Sequence, residues 1–512
     1  MPHRRGLSLI AFASLLGRVL SLAQSVVIGF YLTPSDYGAY AVAVGLLMFT
    51  GPLRAGGIWM VLGSIPEDKY REQAPAVFWV GMFIGSASLV TTLVANGLNL
   101  GVERGVPGAT LALTVLASQY AVLPIQQLAQ MRLGGSQEYG FLAITVLVCG
   151  IGKFVLAIVA AKFGFGPLAL AAPPVIGTLI EAVLCVRAAR LDRTYFRFEP
   201  AAIWKAFRAH LPVLPIAVFH SVNSQSDYFI GSLFLTTASL GLYTFAYQIA
   251  SQPYLVLTMV LQRVLVPRSA VAQGSPLHQE YLAAMATTVF FIVPAVCIGL
   301  GIVFAPMEQV IWAGRWAQSV GLVTILSIGL SGPVAQAILI TPLLAARRYT
   351  IVLATEAVRG ASVLGGAVLG VMAIAKMPLL AADPLADVKG LALGVCLVTT
   401  ATSIATGIWL MAAAGLRLRP MVESLLLGPM VCVVAGFGSW SVANSLYMSF
   451  DSLGSRGGHA VVAITTIVLY AIILIGALQL IPPLRAAYVN VAEPGLKGLK
   501  RVAQRIHLPI GD

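Results

Sequence analysis

The sequence predicts an all-α polytopic membrane protein with about 14 transmembrane helices. Of the 512 residues, 58% are hydrophobic and only 10% are charged, whereas soluble domains carry about 25% charged residues. The apolar residues are gathered into windows of about 20 residues, which is the length that crosses a bilayer as a helix. Composition and run length together exclude a single soluble core.

Fourteen apolar windows give the predicted spans. The second is the weakest, because Pro52 and three glycines interrupt it. All five cysteines fall inside the windows without C-x-x-C spacing, which predicts small buried side chains rather than disulfides or metal ligands. In order, the spans are 7–32, 38–65, 75–98, 107–130, 139–161, 166–187, 211–236, 240–262, 281–305, 318–341, 350–374, 388–414, 421–446 and 459–482.

The basic residues predict the orientation. With both termini in the cytoplasm, 22 of the 32 lysines and arginines fall in cytoplasmic segments or at the cytoplasmic ends of spans, six fall in outer segments or at the outer ends of spans, and four lie well inside spans. Positive charge is retained on the cytoplasmic side of membrane proteins. Topology and attraction to anionic lipid therefore account for most of the net charge of +13, and nucleic acid is not an expected partner.

A repeat is visible in two turns. Leu-Thr-Pro-Ser-Asp-Tyr-Gly-Ala-Tyr at 32–40 and Leu-Thr-Thr-Ala-Ser-Leu-Gly-Leu-Tyr at 235–243 share Leu, Thr, Gly and Tyr at a constant offset of 203 residues. The turns are six spans apart, and six is even. Both copies then enter the membrane in the same direction, which predicts a parallel repeat about an axis along the membrane normal.

This repeat predicts the domain organisation. An N-lobe of six spans covers 1–190 and a C-lobe of six spans covers 211–415, joined by a basic connector at 191–210. Spans 13 and 14 (416–483) form an added pair before a basic cytoplasmic tail (484–512). The connector is amphipathic, as a helix lying on the inner leaflet is. A helix packed on the protein's own loops would show the same pattern.

Four basic residues, Arg18, Arg54, Lys153 and Arg359, lie inside predicted spans. A charge at bilayer depth costs roughly 2.5–3.5 kcal/mol on insertion scales, so such residues mark functional sites. A guanidinium binds phosphate oxygens in a bidentate way and stays protonated. The four cations therefore predict a site for an anionic group inside the membrane.

The chain resembles the Wzx-type polysaccharide repeat-unit flippases, in the polysaccharide transporter branch of the multidrug/oligosaccharidyl-lipid/polysaccharide (MOP) exporter superfamily. The residues that carry the resemblance are the two hairpins, Ser-Asp-Tyr-Phe-Ile-Gly-Ser-Leu-Phe-Leu from Ser226, Arg-Val-Leu-Val-Pro-Arg from Arg263, and Trp-Ala-Gly-Arg-Trp from Trp312. The first helix, Gly-Arg-Val-Leu-Ser from Gly17, is also similar to that of lipid II flippases, with Gln24 where those have a second arginine.

The resemblance implies an inverted-V fold and translocation of oligosaccharide repeat units linked to undecaprenyl pyrophosphate across the bacterial inner membrane. The polysaccharide polymerase and chain-length machinery are the protein partners that it implies. A drug or cation antiporter of the same fold is the alternative function. A membrane-embedded polymerase or glycosyltransferase fits less well, because the predicted outer segments are short and no catalytic, nucleotide-binding or metal-binding constellation is evident. We therefore expect a transporter, not an enzyme.

Each charged residue has a structural reading beside its functional one. Arg18 binds the pyrophosphate or pairs with Asp227, and Arg54 lines a broken helix or extends to the cytoplasmic surface. Lys153 holds substrate from the outer side or extends to the membrane surface, which is harder to reach from its position. Glu356 and Arg359 are three residues apart, hence on one helix face, and we expect an ion pair. Glu181, near the end of a span, is expected to be solvated.

Spans 1 and 7 are unusually polar. Gln24 corresponds by the repeat to Asp227, and Arg18 to Ser221. The polar residues of span 7 are expected to line a cavity, and Asp227 would couple transport to a proton or sodium gradient, with no other cofactor expected. The predicted cavity and coupling residues are Gln24, Ser221, Asn223, Gln225, Asp227 and Glu356.

Overall fold

We describe a computed structural model of the chain. It describes residues 2–55, 62, 65, 67–97, 106, 108–211, 214–258, 278–340, 343, 348–415, 418–451, 456–482 and 484. Regular structure in these ranges is helical throughout. The predicted cytoplasmic tail beyond residue 484 lies outside them.

Each of the fourteen predicted spans overlaps a helix, which confirms the all-α fold class. An additional helix, α7, occupies the connector, and one short helix, Pro378–Ala381, precedes α13. Single 3-10 turns lie at Arg193–Phe196, Ala317–Ser319 and Ile374–Lys376. In chain order the numbered helices are α1 (Pro2–Ile28), α2 (Pro34–Ala55), α3 (Glu67–Gly97), α4 (Ala109–Gly135), α5 (Tyr139–Lys162), α6 (Leu168–Ala189), α7 (Pro200–His210), α8 (Leu214–Phe234), α9 (Thr237–Ala250), α10 (His278–Trp312), α11 (Val320–Leu339), α12 (Tyr349–Met372), α13 (Ala386–Ala413), α14 (Leu418–Asp451) and α15 (Arg456–Leu480).

In the part of the chain that the structure describes, nine helices are long and apolar enough to cross a membrane. Phe12–Ile28 and Leu427–Val442 are shorter apolar segments. Large aliphatic side chains lie exposed along these helices, for example Ile144, Val148 and Ile151 on α5. Exposed apolar faces of this extent are stable in lipid but not in water. The protein is therefore a multi-pass membrane protein.

The chain forms two compact units. Unit 1 comprises Met1–Phe245 and Glu356–Leu391, and unit 2 comprises Ala246–Thr355 and Ala392–Asp512. This boundary does not follow the connector, because α8 packs along α2 and thereby belongs to unit 1. The proposal of lobes at 1–190 and 211–415 stays a prediction.

Unit 2 is built around α10, which packs against α11, α14 and α15. Several side-chain hydrogen bonds join its helices. The Tyr470 hydroxyl donates to the Ala295 carbonyl at 3.0 Å, and the Ser403 hydroxyl donates to the side-chain oxygen of Gln336 at 2.9 Å. All five cysteines of the chain are unpaired and buried, as the sequence predicts.

The two repeated hairpins meet inside unit 1, and their contact is reciprocal. A Cβ atom on Gly38 would lie 1.8 Å from the carbonyl oxygen of Thr237, and one on Gly241 would lie 1.6 Å from that of Pro34. Pro34 and Thr237 occupy the same position of the repeat. Each copy thus contacts the other through the same pair of positions, the pattern of a two-fold interface. Only glycine allows so close an approach.

The shared threonine of the two hairpins begins a helix in each copy. Thr33 accepts a hydrogen bond from the Asp36 amide at 3.3 Å, and the Asp36 carboxylate accepts one from the Thr33 amide at 2.8 Å. This reciprocal pattern is a capping box. In the second copy the Thr236 hydroxyl accepts from the Ser239 amide at 3.2 Å. The sequence identities in the two turns therefore have local structural causes.

The connector helix α7 packs on the protein with one face and exposes another face suited to the membrane surface, so both predicted interpretations apply to it. Ile203 is buried and packs with Ala76 and Val80 of α3, so one face of α7 lies on the protein. Trp204 is 55% exposed and Leu211 is 47% exposed. The Arg208 guanidinium lies over the Trp204 ring at 5.1 Å. Such a face suits the membrane–water interface, where tryptophan and basic residues are enriched.

Candidate substrate site in unit 1

Arg18 lies on a polar stripe of α1. Ser14, Arg18, Ser21 and Ser25 follow one another at intervals of four, three and four residues, so they share one face of the helix. The Arg18 side chain is partly buried. Among the described residues, no carboxylate lies within ion-pair distance of Arg18. The predicted structural pair with Asp227 is not formed, because other groups hold the Asp227 carboxylate.

The apolar face of α1 is separate from this stripe. Phe12, Leu16 and Val19 are exposed and follow each other at helical spacing on a different side of α1. Lipid would cover that side. Ser14 and Ser25 donate to carbonyls of the preceding turn, at 2.6 and 3.1 Å. Their hydroxyl oxygens keep acceptor capacity, so the stripe suits water or a polar ligand.

Helix α5 crosses α1 beside Arg18. A Cβ atom on Gly150 would lie 3.9 Å from the Cα atom of Gly17, so the two helices touch at these glycines. Small residues at the contact allow close helix packing in membranes. Lys153 follows Gly150 by one helical turn. Two cationic residues therefore lie on neighbouring helices close to the same crossing.

Lys153 faces protein, not lipid. The exposed residues Ile144, Val148, Ile151 and Val155 form one face of α5, and Lys153 lies on the opposite face. A Cβ atom on Gly177 of α6 would lie 2.0 Å from the Lys153 Cε atom, so the lysine stem crosses α6 at this glycine. The expectation of an inward-facing Lys153 is consistent with this placement.

Glu181 is the acid that Lys153 approaches, and the prediction of a solvated Glu181 is wrong. Gln126 donates to Glu181 Oε2 at 2.7 Å and Gln130 donates to Glu181 Oε1 at 2.5 Å, both from α4. The Lys153 ammonium acts electrostatically on the same carboxylate. Glu181 is one turn after Gly177 on α6, so three helices converge on this partly buried polar cluster.

The ion pair predicted on α12 is present. The Arg359 Nη1 atom lies 3.9 Å from the Glu356 Oε1 atom, and the side chains are only 11% and 19% exposed. The Glu356 Oε2 atom is buried and has no hydrogen-bond partner among the described residues. A Cβ atom on Gly360 would lie 3.2 Å from the Phe219 carbonyl oxygen, so α12 touches the polar helix α8 here.

The polar residues of α8 take different roles. Ser221 is buried and donates to the Met48 carbonyl of α2 at 3.3 Å, so it serves helix packing. Asn223 and Gln225 are partly buried. The Gln225 Oε1 atom is buried without a partner among the described residues. In α1, Gln24 is partly buried as well.

Asp227 is buried and hydrogen-bonded within the second repeat copy. The Tyr243 hydroxyl donates to Asp227 Oδ2 at 2.7 Å, and the Tyr228 amide donates to Asp227 Oδ1 at 2.9 Å. Tyr243 is the last shared residue of the hairpin, so the carboxylate ties α8 to α9. The side chain of Arg54 lies outside the described residues, and its predicted role stays a prediction.

These features define a helical membrane protein in which two repeated hairpins meet. The chain is similar to a solved structure of the lipid II flippase MurJ in an inward closed conformation, with a TM-score of 0.69 and 13% identity over 92% of this chain and 99% of that one. It is also similar to an inward-facing MATE multidrug transporter of the MOP superfamily, with a TM-score of 0.57 and 14% identity over 78% and 95% of the two chains. The predicted superfamily fold is thereby confirmed.

The family follows from the sequence itself. The family model described as "Polysaccharide biosynthesis protein" matches residues 30–321, more than half of the chain. The protein belongs to this polysaccharide biosynthesis family. No sequence among the curated proteins matches the chain.

Proposed function

We propose that the protein translocates oligosaccharide repeat units linked to undecaprenyl pyrophosphate across the bacterial inner membrane, for polysaccharide biosynthesis. The observation that carries the proposal is Arg18, a partly buried cation on a polar stripe, with no acid at ion-pair distance among the described residues. The family membership and the flippase and exporter folds of the similar structures support it.

The charges favour an anionic substrate. Arg18 would bind pyrophosphate oxygens through its planar guanidinium, which matches phosphate geometry. Lys153 lies near the same helix crossing, and Arg359 is paired with Glu356 over a long 3.9 Å separation. A cation antiporter would need acids to dominate, whereas the acids here are hydrogen-bonded or paired. The serine stripe would contact the sugar, while the polyprenyl tail stays in lipid.

Transport would proceed by alternating access. In transporters built from repeats, a site near the midplane is exposed to each side in turn. The protein would act without covalent chemistry on its cargo, hence as a transporter and not as an enzyme. The same proposal places the protein in the inner membrane with both termini in the cytoplasm. Its proposed protein partners are the polysaccharide polymerase and the chain-length machinery.

Replacing Arg18 tests the substrate site. Arg18→Ala in reconstituted vesicles is expected to reduce translocation of the lipid-linked oligosaccharide at least tenfold, because charge-assisted bonds to phosphate are lost. Arg18→Lys should restore part of the rate. The matched control is Arg193→Ala, which removes an exposed arginine of the connector. Normal transport by a well-inserted Arg18→Ala protein would contradict the binding role.

We assign the coupling to Asp227, the buried acid of the second copy. A proton or sodium ion binding there would compete with the Tyr243 hydrogen bond and so alter the attachment of α8 to α9. Asp227→Asn keeps the shape of the side chain but removes its charge. Transport by this variant should lose its dependence on an imposed ion gradient. If the variant responds to the gradient as the native protein does, Asp227 is not the coupling site.

A further inference from the structure

A cavity lies at one end of the helices α3 to α6. It has a volume of about 570 Å³, within the range of small-molecule sites. Its charged lining residues are Arg71, Arg132, Arg190, Glu138 and Asp192. The end of α4, the start of α5 and the end of α6 surround it, so it lies where these helices leave the membrane. The charge distribution predicts that this is the cytoplasmic side.

Arg71 lines one side of this cavity, and hydrogen bonds hold its side chain in place. Its guanidinium donates to Asp192 Oδ2 at 2.5 Å and to the Thr194 hydroxyl at 3.1 Å. The pKa of Asp192 lies below its ordinary value, first because Thr194 donates hydrogen bonds to it and also because Arg71 is adjacent. Asp192 is therefore ionised and already engaged. Three arginines face two acids, which leaves the lining with a net charge of +1.

Arg190 occupies a position that favours glycine. It ends α6 in the left-handed conformation, with φ at 48°. Glycine is the usual residue at such a helix end, because a Cβ atom is unfavourable there. An arginine is found instead, and its side chain lines the cavity. Backbone strain of this kind is retained where the side chain has a use.

The surroundings indicate a lipid. Leu133, Phe141 and Tyr195 add a smaller apolar part to the mainly polar lining of the cavity. In the adjacent connector Phe198 is 53% exposed, and so is Trp204 on α7 at 55%. Exposed aromatic residues mark the headgroup level of a bilayer. Basic pockets at the cytoplasmic ends of membrane helices bind anionic headgroups.

We propose that this cavity binds the phosphodiester headgroup of a singly charged anionic phospholipid, with Arg132 and Arg190 contacting the phosphate. The volume exceeds that of a free phosphate ion. A net charge of +1 matches a phosphodiester better than a pyrophosphate, which carries more negative charge. The site is separate from Arg18 and stands whether or not the transport proposal holds.

The test measures lipid retained by the purified full-length protein in native mass spectrometry. The probes are phosphatidylglycerol and phosphatidylcholine with identical acyl chains. The native protein should retain phosphatidylglycerol preferentially. Arg190→Gly should weaken this retention roughly tenfold, the effect of losing a charged hydrogen bond. The variant should fold, because glycine adopts the left-handed conformation without steric cost.

Gln137→Gly is the matched control. Gln137 also has a positive φ, 64°, in the neighbouring turn between α4 and α5, but does not line the cavity. It should retain phosphatidylglycerol as the native protein does. Equal retention of both lipids by the native protein, or unchanged retention by Arg190→Gly, would overturn the proposal. Displacement of the lipid by equimolar inorganic phosphate would overturn the lipid assignment and identify a phosphate site.

Discussion

The two copies of the repeat, α1–α2 and α8–α9, share their turns but differ in the helices that lead into them. Leu, Thr, Gly and Tyr coincide in the turns. About two helical turns before the hairpin, Gln24 of the first copy aligns with Asp227 of the second, and about four turns before it Arg18 aligns with Ser221. The first copy is therefore cationic at depth and the second is acidic.

This difference separates structural from functional positions. The shared glycines contact the opposite hairpin, and the shared threonines begin helices, so these identities serve packing. Ser221 packs on Met48, whereas Arg18 lies on a polar stripe. The same repeat position thus joins helices in one copy and presents a charge in the other. Under the proposed function, Arg18 of the first copy would bind the substrate and Asp227 of the second copy would bind the coupling ion.

The largest effect is expected from a substitution that disturbs the reciprocal contact of Gly38 and Gly241. Gly241→Ala would place a Cβ atom 1.6 Å from the Pro34 carbonyl oxygen. Backbone must move to relieve this clash, so we expect a loss of about 3 kcal/mol in the free energy of unfolding. Gly38→Ala should cost a similar amount, because the two contacts are equivalent. Thermal unfolding in detergent measures both.

Gly365→Ala on α12 is the control for this pair, because a Cβ atom there meets nothing within 4 Å. Alanine in a helix interior is favoured over glycine by about 0.5–1 kcal/mol. The control should therefore be neutral or more stable. If Gly241→Ala were as stable as Gly365→Ala, the hairpins would not meet as described.

A second comparison concerns the Tyr243–Asp227 hydrogen bond, which joins a hydroxyl to a carboxylate. Tyr243→Phe should lower the free energy of unfolding by about 1–3 kcal/mol, because a buried acceptor loses a donor. A double-mutant cycle with Asp227→Asn isolates the coupling between the two side chains. The same cycle with Tyr40 and Gln24 of the first copy should give a smaller coupling energy, because Gln24 is neutral. Equal coupling energies in the two copies would show that the negative charge of Asp227 adds nothing to its hydrogen bond with Tyr243.

The smallest difference is expected at the helix starts. Thr33 donates to the Asp36 carboxylate at 2.7 Å, whereas Thr236 donates to the Ser239 hydroxyl at 2.9 Å. Loss of such a cap costs about 0.5–2 kcal/mol. The loss in the free energy of unfolding should be near the upper end of that range for Thr33→Ala and near the lower end for Thr236→Ala. Introducing Ser239→Asp should bring the two costs together, and thermal unfolding would detect a failure to do so.

Hydropathy predicts the helices well, because burial in lipid requires long apolar runs. The span 139–161 corresponds to Tyr139–Lys162. Hydropathy does not predict the helix boundary where a helix continues beyond the membrane. The third span was predicted from residue 75, yet α3 begins at Glu67. Its first turns are polar, and α3 contacts α7 and the adjoining turn at Arg193–Phe196. No hydropathy signal marks a polar helical extension.

The candidate site was less predictable, because it depends on which helices meet. Intramembrane charge identified Arg18 and Lys153, and three-residue spacing identified the Glu356–Arg359 pair. Spacing within one helix cannot show that Gln126 and Gln130 of α4 bind Glu181 of α6. For the same reason Tyr243, the partner of Asp227, was missed. A tyrosine repeated at both hairpins was the available signal.

The reciprocal contact of Gly38 and Gly241 also bears on the origin of the chain. A surface that meets a copy of itself through the same two positions is the interface of a symmetric homodimer. The protein thus has the construction expected of two copies of one ancestral segment joined by gene duplication. After duplication, the residues that form the shared interface would have to stay the same in both copies, whereas the other residues of each copy could diverge independently. Arg18 and Asp227, each present in one copy only, are examples of that divergence.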